Sequence, residues 1–223
     1  MWNIRPNNKN KILVTTILVG AVSYAQAEVL VILPESGPMA RAANSIKQGF
    51  MSAYQASELE TPGENGEQPD GRGFQALEQA LGQAVEQGER RAYEGMENSL
   101  LADTRYYLAY MGLRKNQFAI LCRMRDCFSR MESTPDQALV VADLLQSVSG
   151  SFHERNNALG LLDELEHVKL QMKAQPLPVR RQEFESRALL YLSLLELEQF
   201  LVLKKEFALG LSRDEIRKFW GRG

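Results

Sequence analysis

The sequence predicts a mostly α-helical protein: a helical bundle or irregular helical array, preceded by a short strand–turn–helix unit. Three observations predict it. From Phe74 onward, apolar residues recur at helical spacing almost to the end of the chain. Three helix starts carry the Ser/Thr-x-x-Glu/Gln pattern, in which two side chains cap each other's backbone N–H groups. Ala188 to Leu203 (ALLYLSLLELEQFLVL) is apolar around nearly its whole circumference, as expected of a helix central to a bundle.

Residues 1–27 read as a secretory signal peptide. Arg5, Lys9 and Lys11 precede an apolar run from Ile12 to Val22, and small residues at Ala25 and Ala27 suit cleavage before Glu28. The apolar run is short for a bilayer span, and the alternative is an uncleaved amino-terminal anchor. Residues 28–57 form the strand–turn–helix unit. Glu28 to Leu33 is an apolar, β-branched run ended by Pro34, and Met39 to Ala56 follows with helical periodicity. Residues 58–73 hold five acidic residues, four glycines and two prolines, with almost nothing to bury, and read as a flexible linker.

The helical domain spans 74–223. Its first stripe runs from Phe74 through Leu77, Leu81 and Val85 to Leu100. Asp103 to Met131 reads as two helices divided near Arg114–Gln117, where polar residues interrupt the apolar pattern. Thr134 with Gln137, and Pro135 between them, predicts a capped helix over 134–148. Ser151 with Glu154 predicts the next over 151–174, and the turn Gln175–Pro178 leads to a long helix over 178–209. Ser212 with Glu215 starts a final helix over 212–220. If Ala188–Leu203 is the bundle axis, the adjacent residues Leu194 and Leu195, about 100° apart around the helix, are both deeply buried. A degenerate helical-repeat array is the alternative architecture.

Residues 1–27 contain three of the 26 basic residues and none of the 28 acidic ones, so their removal takes the net charge from −2 to −5. An acidic chain suits neither general phosphate-backbone binding nor a polybasic membrane-surface mode. Nucleic acid is therefore not expected as a partner. Cys122 and Cys127 are the only cysteines. Five residues along a helix rise about 7.5 Å, beyond the usual span between bridged Cα atoms. A disulfide between them requires the helix to break between Leu121 and Phe128; otherwise they are two buried thiols. His153 and His167, fourteen residues apart, give no metal-ligand spacing.

The chain contains no GxSxG, HExxH, P-loop or complete dinucleotide fingerprint, so no catalytic residues, metal or cofactor are predicted, and the protein is expected not to be an enzyme. Asp163, Glu164 and Glu166 beside His167 read as a solvated helix face. At the carboxyl end Ile216, Phe219 and Trp220 alternate with Arg213, Arg217 and Lys218. They form either a partner-docking amphipathic helix or a helix that caps the end of the bundle.

Val29 to Tyr54 (VLVILPESGPMARAANSIKQGFMSAY) resembles the first strand–turn–helix of periplasmic binding-protein-like domains, nearest to the penicillin-binding-protein activators. The matching features are Leu33, Pro34, Ser36, Gly37, Pro38, Ala40, Ala42, Ile46, Gly49 and Phe50. The resemblance implies a reduced activator of peptidoglycan synthesis. The chain departs from it after residue 57, where strand and helix no longer alternate, and in lacking a cysteine to carry lipid. Export, a large helical core and the absence of catalytic motifs together lead to the main expectation. This is a periplasmic adaptor of a bacterial envelope assembly, with protein partners, no membrane span after signal cleavage, and a homo-oligomer as one arrangement.

Overall fold

The computed structural model describes residues 103–151 and 156–220, with helical pieces at 79, 82–83, 85–90 and 93. The signal peptide at 1–27, the strand–turn–helix unit at 28–57, the linker at 58–73, His153 and Glu154 lie outside the described residues. The fold is mostly α-helical, an array of helices, as the sequence predicts; there is no strand among the described residues. In chain order the helices are α1 (Asp103–Ser129), α2 (Gln137–Ser151), α3 (Leu159–Ala174), α4 (Arg181–Gly210) and α5 (Arg213–Phe219). No helix among them is long and apolar enough to cross a membrane.

α1 is a single helix, which corrects the predicted division near Arg114–Gln117. The polar residues there satisfy one another within the helix. Arg114 Nη1 donates to Gln117 Oε1 at 2.9 Å, and Nη2 donates to Tyr110 Oη at 2.9 Å. Partners three and four residues away lie on one face, so no loop is needed to accommodate them.

The predicted caps have three different outcomes. At α5 the box is complete: Glu215 N–H donates to Ser212 Oγ at 3.2 Å and Ser212 N–H donates to Glu215 Oε2 at 2.8 Å. At α2 the box is not made. Ala138 N–H donates to Pro135 O, so the chain turns at Pro135–Asp136 and the helix opens at Gln137 itself. Gln137 is then the first helical residue and not the third, where a capping box needs it, and its Oε1 has no partner. At Ser151 no helix starts; α2 runs through Gly150 to that residue. α3 instead follows Ala158, which takes a left-handed conformation at φ 61° and offers no side-chain cap.

The chain divides into two compact units. Among the described residues, one unit takes 119–151 and 158–202, and the other takes the helical pieces at 79, 82–83, 85–90 and 93 together with 103–118, 156–157 and 203–220. The first has an aliphatic interior, with Leu121, Met124, Phe128, Leu144, Leu145, Leu165, Leu194 and Phe200 all buried. Arg123 forms a two-pronged bond to Glu196 at 2.9 and 2.8 Å, tying α1 to α4. Lys169 of α3 reaches Glu198 of α4 at 3.1 Å. The bundle-axis expectation fails in this unit: Leu194 is 0% exposed but Leu195 is 41% exposed. α4 buries one stripe and turns Leu192 and Leu195 to solvent.

The second unit is built on aromatic packing. Tyr106 stacks on Phe219 with ring centroids 3.9 Å apart and also meets Tyr107, Tyr110 and Phe207. Trp220 Nε1–H donates to Tyr106 Oη at 3.1 Å. Lys204, fully buried, lies 5.2 Å from the Trp220 ring, a cation–π distance.

Candidate functional site

Three separated stretches of the first unit converge at the turn between α3 and α4. Gln137 opens α2, Met172 and Lys173 end α3, Pro176–Leu177–Pro178 makes the turn, and Phe184, Arg187 and Tyr191 lie on α4. The two prolines fix the turn in an extended path that cannot continue the helix. Together these residues enclose a cavity of about 260 Å³.

Arg187 organises it. Its Nη1 donates to Pro176 O at 2.6 Å, fastening the turn to α4, and its Nη2 donates to Glu183 Oε1 at 2.5 Å. Its Nε is buried and has no acceptor. Gln137, 6% exposed, contributes a second unsatisfied atom, its Oε1. A buried polar group without a partner costs about 1–3 kcal/mol, and two of the residues lining this cavity carry one. The charged side chains among the described residues lining it are Lys173 and Arg187, both cationic; the rest of the lining is mostly apolar, with Gln137 and Gln175 as uncharged polar groups.

A second cavity, of about 570 Å³, shares Phe184 and Ala188 with the first. Ala188, Leu189 and Leu192 form its apolar side, and Arg130, Glu132, Glu185 and Ser186 its polar side. Two of these polar groups are already engaged. Ser186 Oγ accepts from Ser133 N–H at 3.1 Å, and Glu185 bonds Arg181 at 2.7 Å.

The residues predicted from sequence lie elsewhere. Cys122 and Cys127 sit on the uninterrupted α1, so the break that a bridge requires does not occur, and both thiols are free. Burial pushes both thiols above their ordinary pKa. Phe219 and Trp220 turn inward onto Tyr106, leaving Ile216 of that trio exposed, so α5 caps its unit in the second of the two predicted arrangements. His167 bonds Asp163 O through Nδ1, Glu164 accepts from Ser147 Oγ, and Glu166 pairs with Lys169. The hydrogen bond from Lys169 holds the Glu166 carboxyl below its usual range. These carboxylates therefore do not converge, and no group of metal-binding side chains occurs among the described residues. Arg187, Lys173 and Phe184 carried no motif, and Gln137 was read as a cap. The Pro176–Pro178 turn was the one visible signal of this site.

Comparison with known proteins bears on the same region. Residues 66–205 match the family described as "Putative aromatic acid exporter C-terminal domain". A relative from Bacillus subtilis (strain 168), "Uncharacterized protein YqjA", is 30% identical over 125 residues, covering 56% of this chain and 39% of the relative. The chain thus matches about two fifths of that relative's length. The solved structure described as "putative membrane protein from Clostridium difficile 630" is 29% identical with a TM-score of 0.56, covering 86% of this chain and 97% of that one.

These matches correct three expectations. The resemblance of residues 29–54 to penicillin-binding-protein activators is replaced by a family match that spans most of the helical domain. The periplasmic adaptor function falls with it, because the matching family is described by an exporter. The periplasmic location, expected from residues 1–27, gives way to a family described by an exporter and a solved relative described as a membrane protein. Charge, hydropathy and motif absence carry no mark that separates an adaptor from an exporter's helical domain, because a helical fold does not determine function. By the match over 66–205, the chain belongs to the aromatic acid exporter C-terminal domain family.

Proposed function

We propose that this chain is the part of an inner-membrane aromatic acid exporter that lies outside the bilayer, and that it holds the acid in the cavity at the α3–α4 turn. The binding is non-covalent and uses no cofactor. The charge of the cavity carries the reading. Lys173 and Arg187 line a space whose other residues are mostly apolar, with Gln137 and Gln175 as uncharged polar groups, the combination that suits a ring bearing a carboxylate. The ring lies against Phe184, Tyr191 and the prolines. The carboxylate pairs with Lys173 at the rim and, once a small shift of the Arg187 side chain uncovers its buried Nε–H, accepts from that group, an interaction stronger than one between neutral groups. Rotation of the Gln137 amide presents either its N–H₂ to the anion or its oxygen to a hydroxyl on the ring.

Calorimetric titration of the chain with benzoate, and with benzyl alcohol as an uncharged ring of similar size, tests the reading. Benzoate is expected to bind and benzyl alcohol to bind at least about tenfold more weakly, because only the first gains a charge-assisted contact. Lys173→Glu reverses a charge at the exposed rim and is expected to weaken benzoate by about tenfold while the helical content stays constant. Equal affinity for the two ligands, or no effect of the reversal, contradicts the reading.

A further inference from the structure

The two cavities beside α4 have Phe184 and Ala188 in common. Phe184 and Ala188 are one helical turn apart on the same face of α4, and both line each cavity. Ala188 brings only a methyl group to that shared lining, and the phenyl ring of Phe184 is the larger of the two side chains. That ring is 61% exposed, which leaves it free to change rotamer without disturbing a packed core.

Volume and chemistry differ on the two sides. At about 260 Å³ the cationic cavity is smaller than the roughly 300–1,000 Å³ usual for ligand pockets, and it suits one ring with its carboxylate. The cavity beyond Phe184, at about 570 Å³, falls inside that range. Leu189 and Leu192 give it an apolar side. With Ser186 and Glu185 engaged, Arg130 and Glu132 remain at its polar edge for a hydrogen-bonding group at the far end of a ligand. The exposure of Leu192, out of keeping with the buried stripe of α4, falls within this second wall.

We infer that the cavity beyond Phe184 is a second subsite, taking the distal ring of a two-ring aromatic carboxylate whose acid group sits at Arg187, and that Phe184 sets how far a ligand can extend. The inference rests on the aromatic acid reading of the first cavity. In the closed position Phe184 confines the ligand to one ring; swung aside or truncated, it joins the two spaces. Ligand length is then read by a single side chain, while the carboxylate contacts are common to short and long acids.

The test is a pair of titrations on the full chain, with benzoate and with biphenyl-4-carboxylate, reported as the ratio of their affinities. Phe184→Ala is expected to shift that ratio about tenfold toward the two-ring acid, the size of effect that a few methylene-equivalents of apolar contact produce. Phe184→Leu, which keeps a bulky side chain, is expected to shift it less, in the same direction. Adding Leu192→Glu to Phe184→Ala places a charge in the second wall and is expected to return the ratio toward the wild-type value. If benzoate binds but the ratio is the same in Phe184→Ala as in wild type, the second subsite is refuted and the first cavity stands. If neither acid binds the wild-type chain, the aromatic acid reading fails, and the subsite fails with it.

Discussion

The aromatic cluster around Tyr106 and the cavity at the α3–α4 turn are built from similar ingredients and end in opposite states. Each has a buried or half-buried arginine beside aromatic rings. In the cluster, the Arg114 fork is taken up by Tyr110 and Gln117, the guanidinium lies 4.7 Å from the Tyr110 ring, and Trp220 is bonded to Tyr106. At the turn, Arg187 spends its two terminal nitrogens on Pro176 and Glu183, while its Nε and the Gln137 carbonyl go without partners. The cluster closes because its rings stack on one another and Trp220 bonds Tyr106. The turn stays open because its apolar residues are not packed away: Leu177, Val179 and Phe184 face solvent. Buried rings hold a fold and exposed apolar ones do not, so the contrast separates a region that holds the fold from one suited to a ligand.

The contrast breaks first if the cluster is not a core. Tyr106→Ala removes a ring that meets four others and is expected to lower unfolding free energy by about 3–5 kcal/mol, the usual range for buried aromatic truncation. Urea denaturation measures it, and a loss below about 1 kcal/mol contradicts the closed-core account. The next comparison lies within α4. Leu194→Ala is expected to cost about 2–5 kcal/mol, whereas Leu195→Ala at its half-exposed position is expected to cost under about 1 kcal/mol. Similar losses at the two sites would restore the bundle-axis picture.

A smaller effect bears most closely on the two regions. Gln117→Met strands an Arg114 bond inside the cluster and is expected to destabilise by about 1–3 kcal/mol. Gln137→Met removes a carbonyl that has no partner and is expected to be neutral or stabilising by up to about 1 kcal/mol. Thermal melts of the pair give the sign, and equal destabilisation would mean that the two regions do not differ.

The smallest effect is read at the thiols. Burial raises the pKa of Cys122 and Cys127, so the fold favours their protonated form. That preference is fully present below the pKa of the unfolded thiol and is lost as pH rises through the higher folded value. Native protein at pH 8 is therefore expected to alkylate more slowly than urea-unfolded protein at the same pH, and comparable rates would show that the thiols are exposed.

What could be read from the residues was local. The Ser212–Glu215 box needs only four consecutive residues, and it forms as predicted. The Thr134–Gln137 pattern is equally local on paper, but the turn at Pro135–Asp136 shifts the helix start onto Gln137 and takes the partner away. Arg114 and Gln117 looked like a break because periodicity registers polarity and not the bonds that satisfy it within one helix. Leu195 and the cavity depend on which surfaces meet. Gln137, Lys173 and Arg187 come from three stretches that only the fold brings together.

The central claim is that Arg187 Nε is the donor awaiting an aromatic carboxylate, and nuclear magnetic resonance of arginine Nε–H groups tests it most directly. The Arg187 signal is assigned by its loss in Arg187→Lys. On titration with benzoate, that signal is expected to move and to exchange more slowly with water, while Arg123, bonded to Glu196, stays unchanged. A benzoate titration that leaves the Arg187 signal in place, or moves both arginines alike, contradicts the account.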